Sequence, residues 1–170
     1  MIHAMIPTLE DLVWQARKHN VPIIYVQNIR NEWNVSDVSW EHNKGRAQDR
    51  KVWNCMEGSW GADFYKLTTP ARGEHICVKH RYSAFIDTDL DLVLRSQDIR
   101  TLIIAGVNTN VCVESTARDG FMKDYYIVFL SDCTAAVIRE DHEATLRNIQ
   151  NHFGIVTTSM TVVSIWGTEY

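Results

Sequence analysis

The 170-residue chain has no Cys-x-x-Cys pair among its four cysteines and no cluster of lysine and arginine. It also has no apolar run approaching the ~20 residues that span a bilayer. Each absence removes a class of function. Cysteines 55, 77, 112 and 133 build no paired-thiol motif and fall short of the density of a small secreted scaffold, so they read as reduced thiols. Without a basic face nothing meets the phosphates of a nucleic acid, and the net charge of −4 points the same way. The N-terminus MIHAMIPTLEDL lacks the basic and then apolar stretch of a signal peptide. The expectation is a soluble, cytoplasmic protein with no membrane partner. No Gly-rich phosphate loop follows any strand-like run, which argues against a flavodoxin-like nucleotide module. No repeat, linker or low-complexity segment interrupts the chain, so residues 1–170 read as one globular domain.

What is present is an alternation of helix and strand patterns. Ile6, Leu9, Leu12, Val13 and Ala16 recur at helical spacing, and Asn20 and Pro22 close that helix before the apolar run Ile23 to Val26. Residues 28–58 are polar and without a clear period, and read as a long loop beyond a strand end, where function often sits. A short helix around 60–67 leads to a strand over His75 to Lys79. Thr88 and Asp91 have the spacing of a capping box ahead of Leu90, Val93 and Leu94. Further strands are expected at Thr101 to Ala105, Tyr126 to Leu130 and Ile155 to Thr157, with helices from about Cys112 to Lys123 and from 138 to 152. Short apolar strands separated by helices describe a three-layer α/β/α fold with a doubly wound, mostly parallel sheet. Such a domain normally opens with a strand, and here only Met1 to Ala4 precede the first helix.

The stretch Ile103 to Thr116 carries the chemistry. A buried strand ends at Gly106, a tight turn follows, and Cys112 falls in the first turn of a helix. In open α/β sheets ligands bind at the C-terminal ends of the strands, which puts Cys112 at the working edge. A helix N-terminus offers unpaired N–H groups and partial positive charge, features that stabilise a thiolate and can hold an oxyanion. The bland alternative is a small buried hydrophobe, and it suits Cys77 and Cys133, both inside strand-like runs. Lys79 ends its own strand at the same edge, placed to hold a thiolate by charge; equally, it could mark where a buried strand reaches water.

Gly106-Val107-Asn108-Thr109-Asn110-Val111-Cys112-Val113-Glu114-Ser115-Thr116-Ala117-Arg118-Asp119 resembles the nucleophile motif of the isochorismatase-like cysteine hydrolases. The resemblance extends to Lys79 to Asp87, Glu57 to Ala62 and Ser131 to Ala136, so it covers nearly the whole chain, and it is strongest with ureidoacrylate amidohydrolase-type members. It implies an Asp-Lys-Cys triad that hydrolyses C–N bonds through a thioester, with Cys112 as nucleophile and Lys79 as the lysine. It implies further that the Val107–Asn108 peptide bond is cis and that the N–H groups of Asn108 and Cys112 form an oxyanion hole.

The chain also departs from that pattern. The resemblance places the triad aspartate at the end of a first, central strand, in a motif like Asp-x-Gln, and this sequence begins after that point. Glu10, Asp11, Asp37, Asp49 and Asp63 lack the strand-end context. Loss of a central strand leaves unpaired backbone groups in mid-sheet unless its neighbours close up or another segment fills the gap. Metal-binding members carry Asp-x-His where this chain reads Gln27-Asn28-Ile29-Arg30, so neither metal nor cofactor is expected. His42 lacks a partner at ligand spacing, and His142 and His152, ten residues apart, point to different faces of one helix.

Asn28 and Arg30 leave a strand end and can reach the same crevice, Arg30 to pair a carboxylate and Asn28 to bond an amide. Trp60 and Tyr82 are candidate walls for a small planar substrate, or ordinary packing residues. Trp33, Trp40 and Trp53 in a polar loop suggest burial against a neighbouring subunit of a homo-oligomer. Two readings result. One is a cofactor-free cysteine amidohydrolase acting on a small amide or ureido compound. The other is a non-catalytic domain of the same fold that binds a metabolite or partner.

Overall fold

The structure is a computed structural model, and it describes residues 1–44, 54–65 and 68–168. The chain runs α1 (Ile2–Lys18), β1 (Ile24–Asn28), α2 (Asp37–Asn43), β2 (His75–Lys79), α3 (Leu90–Ser96), β3 (Thr101–Val107), α4 (Glu114–Met122), β4 (Tyr126–Ala135), α5 (Arg139–His152), β5 (Ile155–Thr157) and α6 (Ser159–Trp166). All strand pairs are parallel, in the orders β1-β2 and β3-β4-β5.

Side-chain alternation along β3 and β4 builds two cores. Leu102, Ile104, Ile127 and Phe129 face one way, against Val113, Ala117 and Ile149, beside α3 residues Leu90 and Leu94. Ile103, Ala105, Val128 and Leu130 face the other way, against Leu12 of α1 and Val162 of α6. Helices therefore cover both faces, the three-layer arrangement expected from the sequence. Each of these apolar side chains, once buried, contributes about 1.5–3 kcal/mol relative to exposure. The pair β1-β2 joins the first core through Ile24 and Cys77. Arg17 locks α1 onto the approach to β2, its Nε and Nη2 donating to the two carboxylate oxygens of Glu74 at 2.8 and 2.9 Å.

The sheet is split where the sequence anticipates a missing strand. Among the described residues no ladder joins β1 to β3, so the neighbours have not closed up. Ile29 N–H donates to Lys79 C=O across to β2, so by alternation the peptide groups of Val26 and Asn28 face away from it. Among the described residues, that outward side is taken up past the strand end. There Arg30 bridges to Met56, its N–H bonding Cys55 C=O at 2.8 Å and its C=O accepting from Glu57 N–H at 2.7 Å.

Several local expectations need correction. The loop 28–58 contains α2, started by Ser36, whose hydroxyl accepts from Ser39 N–H at 3.2 Å. The helix expected at 60–67 is a single 3₁₀ turn, Trp60–Ala62. Thr88 and Asp91 form no capping box: Thr88 Oγ1 accepts from Leu90 N–H, while the Asp91 carboxylate is drawn to Lys123, Arg95 and Tyr125. The helix expected from Cys112 starts earlier, as a π-type turn over Thr109–Val113. A last helix, α6, lay beyond the elements anticipated; Thr158 caps it by accepting from Thr161 N–H.

Candidate active site

Cys112 and Lys79 come from opposite sides of the split sheet and meet. Lys79 ends β2 and is 4 % exposed. Its Nζ lies 3.4 Å from Cys112 Sγ and donates to the carbonyls of Arg81 at 2.7 Å and Tyr82 at 3.0 Å. An ammonium has three N–H donors, and here each finds an acceptor. Among the described residues no carboxylate pairs with Lys79. A buried cation without an anion is costly, and a thiolate at Cys112 would supply the missing charge.

The turn that presents Cys112 is set by backbone geometry. A bulge between Ile104 and Gly106 redirects the end of β3, and Gly106 has φ +119°, a conformation that side chains disfavour. The Val107–Asn108 peptide bond is cis. The π-type turn then carries Cys112 to the start of α4, with Asn108 at its entrance. Thr116 stitches the two sides of the site together, its Oγ1 donating to Cys112 C=O at 2.8 Å and accepting from Ala84 N–H at 3.0 Å.

The cysteines differ by environment. Burial pushes the Cys77 thiol up from its ordinary value. Burial, reinforced by the neighbouring Asp132 carboxylate, pushes Cys133 up to about 12. Both are fully buried and inert as nucleophiles. Cys112 is partly exposed, beside an ammonium, at the start of a helix.

The other sequence candidates divide. Asn28 pairs with Lys79 in the β1-β2 register, which brings it beside the lysine. Tyr82 is exposed and lines an open hollow of about 440 Å³ with Arg81, Ser115, Arg118 and Asp119; Cys112 is not among its lining residues. Arg30 is engaged instead with Asn54, both its backbone carbonyl and its side-chain oxygen. Trp60 stands 86 % exposed on its 3₁₀ turn. Asp49 and Trp53 lie outside the described residues. Among the described residues no group of three His, Cys, Asp or Glu side chains is arranged to hold a metal ion, and no helix is long and apolar enough to cross a membrane.

Sequence reasoning missed the support beneath the turn. Thr109, fully buried, places Oγ1 2.9 Å from Nδ1 of buried His142 on α5. Asn110 donates to Asp141 at 3.2 Å. Glu114 accepts from Thr145 at 2.7 Å, Asn148 at 2.8 Å and Arg118. Burial pushes the Glu114 carboxyl upward, but those hydrogen bonds outweigh it and hold the group below its usual value. The only trace of this in the sequence is the spacing of Asp141, Thr145 and Asn148, which puts three polar groups on one face of α5.

Known proteins resemble the chain in sequence and in fold. Residues 2–161 match the isochorismatase domain. The chain is 33 % identical over 167 residues to ureidoacrylate amidohydrolase RutB of Methylobacterium radiotolerans, an alignment covering 90 % of this chain and 64 % of that protein. It thus spans less than two thirds of that relative's length. Among solved structures, an isochorismatase-like hydrolase from Alkaliphilus metalliredigens superposes with a TM-score of 0.85 at 30 % identity, covering 97 % of this chain and 86 % of that one. A cysteine hydrolase from Pseudomonas syringae pv. phaseolicola gives 0.87 at 28 %, with 99 % and 83 % covered. With residues 2–161 of its 170 matched to that domain, this chain belongs to the isochorismatase family.

Proposed function

We propose that the chain is a cysteine amidohydrolase that cleaves the C–N bond of a small amide or ureido compound. The observation that carries this is the 3.4 Å approach of the buried Lys79 ammonium to Cys112 Sγ at the mouth of a helix. Cys112, held as a thiolate by Lys79, attacks the carbonyl carbon. The N–H groups of Asn108 and Cys112 stabilise the developing oxyanion. The departing nitrogen takes a proton from water and leaves as the amine or ammonia, giving a thioester, and the hydroxide so formed hydrolyses it to the acid and returns the Cys112 thiolate. Asn28, beside Lys79, and Tyr82, at the hollow, contact the substrate; the kinship to an amidohydrolase for ureidoacrylate supports a small ureido or amide class. No metal or other cofactor takes part in this scheme.

The test is a panel of small amides and ureido compounds scored for ammonia release. Turnover by the parent chain that disappears in Cys112→Ser supports the reading. Turnover that survives Cys112→Ser would contradict it. A second reading has its own observation: among the described residues no carboxylate bonds to Lys79 or Cys112 to take a thiol proton. A non-catalytic domain that binds a small amide fits that arrangement, and tight binding without ammonia release is its signature.

The chain's assembly as a cytoplasmic homo-oligomer belongs to the same proposal. Trp33 and Trp60 stand 90 % and 86 % exposed, the kind of indole surface that subunit contacts bury. A monomeric mass by sedimentation would contradict it.

A further inference from the structure

The nucleophile turn does not stand on its own backbone. Its two ends are bonded to one face of α5: Thr109 to His142, Asn110 to Asp141, and Glu114 to both Thr145 and Asn148. Of these contacts, the Thr109–His142 pair is the most enclosed, with Thr109 0 % and His142 7 % exposed. Thr109 directly follows Asn108, a donor of the proposed oxyanion hole, and lies three residues before Cys112. A buried hydroxyl that lost its partner there would be left unsatisfied, so the turn would have to move to recover a bond.

We propose that His142 is a positioning residue: its imidazole, bonded to the Thr109 hydroxyl, fixes the turn that presents Cys112 to Lys79 and Asn108 to the substrate. This rests on the cysteine-nucleophile reading above. With its proton on Nε2, the neutral ring can accept a hydrogen bond from the Thr109 hydroxyl at Nδ1. Burial favours that neutral form, pushing His142 below its ordinary value. Asp141 and Glu143 flank it on α5 and Arg139 lies one turn before it, and none of these accepts the Thr109 bond.

The experiment compares the parent chain with His142→Leu, His142→Asn and Thr109→Val. Asparagine retains an acceptor near the Nδ1 position, leucine removes it, and valine removes the hydroxyl at nearly constant shape. Two readouts are taken on protein with a cooperative unfolding transition: amide hydrogen exchange over residues 108–113, and the iodoacetamide alkylation rate of Cys112 at pH 7. Loss of one buried hydrogen bond should speed exchange and slow alkylation about three- to tenfold in His142→Leu and Thr109→Val. His142→Asn should stay near parent values in both. Unchanged exchange and alkylation in the Leu and Val variants would overturn the inference, and so would an Asn variant that behaves like Leu. If His142→Leu does not fold, Thr109→Val decides alone. Parent Cys112 alkylated no faster than buried Cys77 would overturn the nucleophile reading itself and this inference with it, an outcome seen before any variant is made.

Discussion

The three-stranded sheet β3-β4-β5 and the pair β1-β2 are built to different densities. The first has helices on both faces, and Phe129 and Leu130 at its centre are fully buried. The second leaves Val26, Ile76 and Val78 exposed, and among the described residues the outward edge of β1 is paired beyond its end, at Arg30. The nucleophile comes from the dense side and the lysine from the sparse one. What the contrast teaches is that the site is a seam: its geometry depends on the polar contacts that cross between the two sides at the site, the Lys79–Cys112 approach and the Thr116 bridge, and on the apolar core the sides share, as well as on the platform under the turn.

Mutations that probe this contrast are ordered by expected cost. Phe129→Ala, in the dense side, should lower unfolding free energy by about 3–5 kcal/mol, read by urea denaturation. Gly154→Ala comes next: a Cβ there would sit 2.4 Å from the carbonyl oxygen of Ile127, so β4 must shift, at about 1–3 kcal/mol. Thr116→Val strands Ala84 N–H without its partner and severs the bridge, at about 1–2 kcal/mol, and it should also slow Cys112 alkylation. Val78→Ala, on the exposed face of the sparse side, should change stability by no more than about 0.5 kcal/mol. A Val78→Ala cost as large as that of Phe129→Ala would mean that the face is covered by something and the contrast is false.

Proton linkage separates the same elements. His142 is held neutral by burial, so its folded pKa lies below the unfolded ~6.5 and the unfolded chain binds the extra proton first. The stability it protects is present above that pH and lost as the pH falls below it. Replacing His142 with asparagine should therefore flatten the decline measured from pH 7 to pH 5. Glu114 is the opposite case: its lowered carboxyl contributes stability above its unfolded ~4.3, lost at more acid pH, and Glu114→Gln should flatten that limb.

Much of this was legible in the sequence. The strand runs at 75–79, 101–105 and 126–130, the layering, and the placement of Cys112 and Lys79 at one sheet edge follow from apolar period and from where each run stops. A central first strand is expected from the family resemblance alone, which leaves open whether its neighbours close up. The structure adds that β1 and β3 stay apart rather than closing up. What could not be read was pairing across distance. Thr109 and His142 are 33 residues apart, and nothing in either local pattern marks a bond between them. Arg30 looked free to bind substrate because the sequence does not show that Asn54 comes to meet it. Helix α6 is marked by Thr158 with Val162, Val163 and Trp166 at helical spacing, but a run of eight residues is a weak signal beside longer ones.

The most direct test of the central claim is the rate of Cys112 alkylation by iodoacetamide at pH 7 in the parent chain and in Lys79→Met, with Cys77 and Cys133 as internal references. A Cys112 rate in the parent far above both buried thiols, falling about tenfold or more when the ammonium is removed, is the expected result for a thiolate held by Lys79. A rate unaffected by Lys79→Met, or no faster than the buried references, would contradict it.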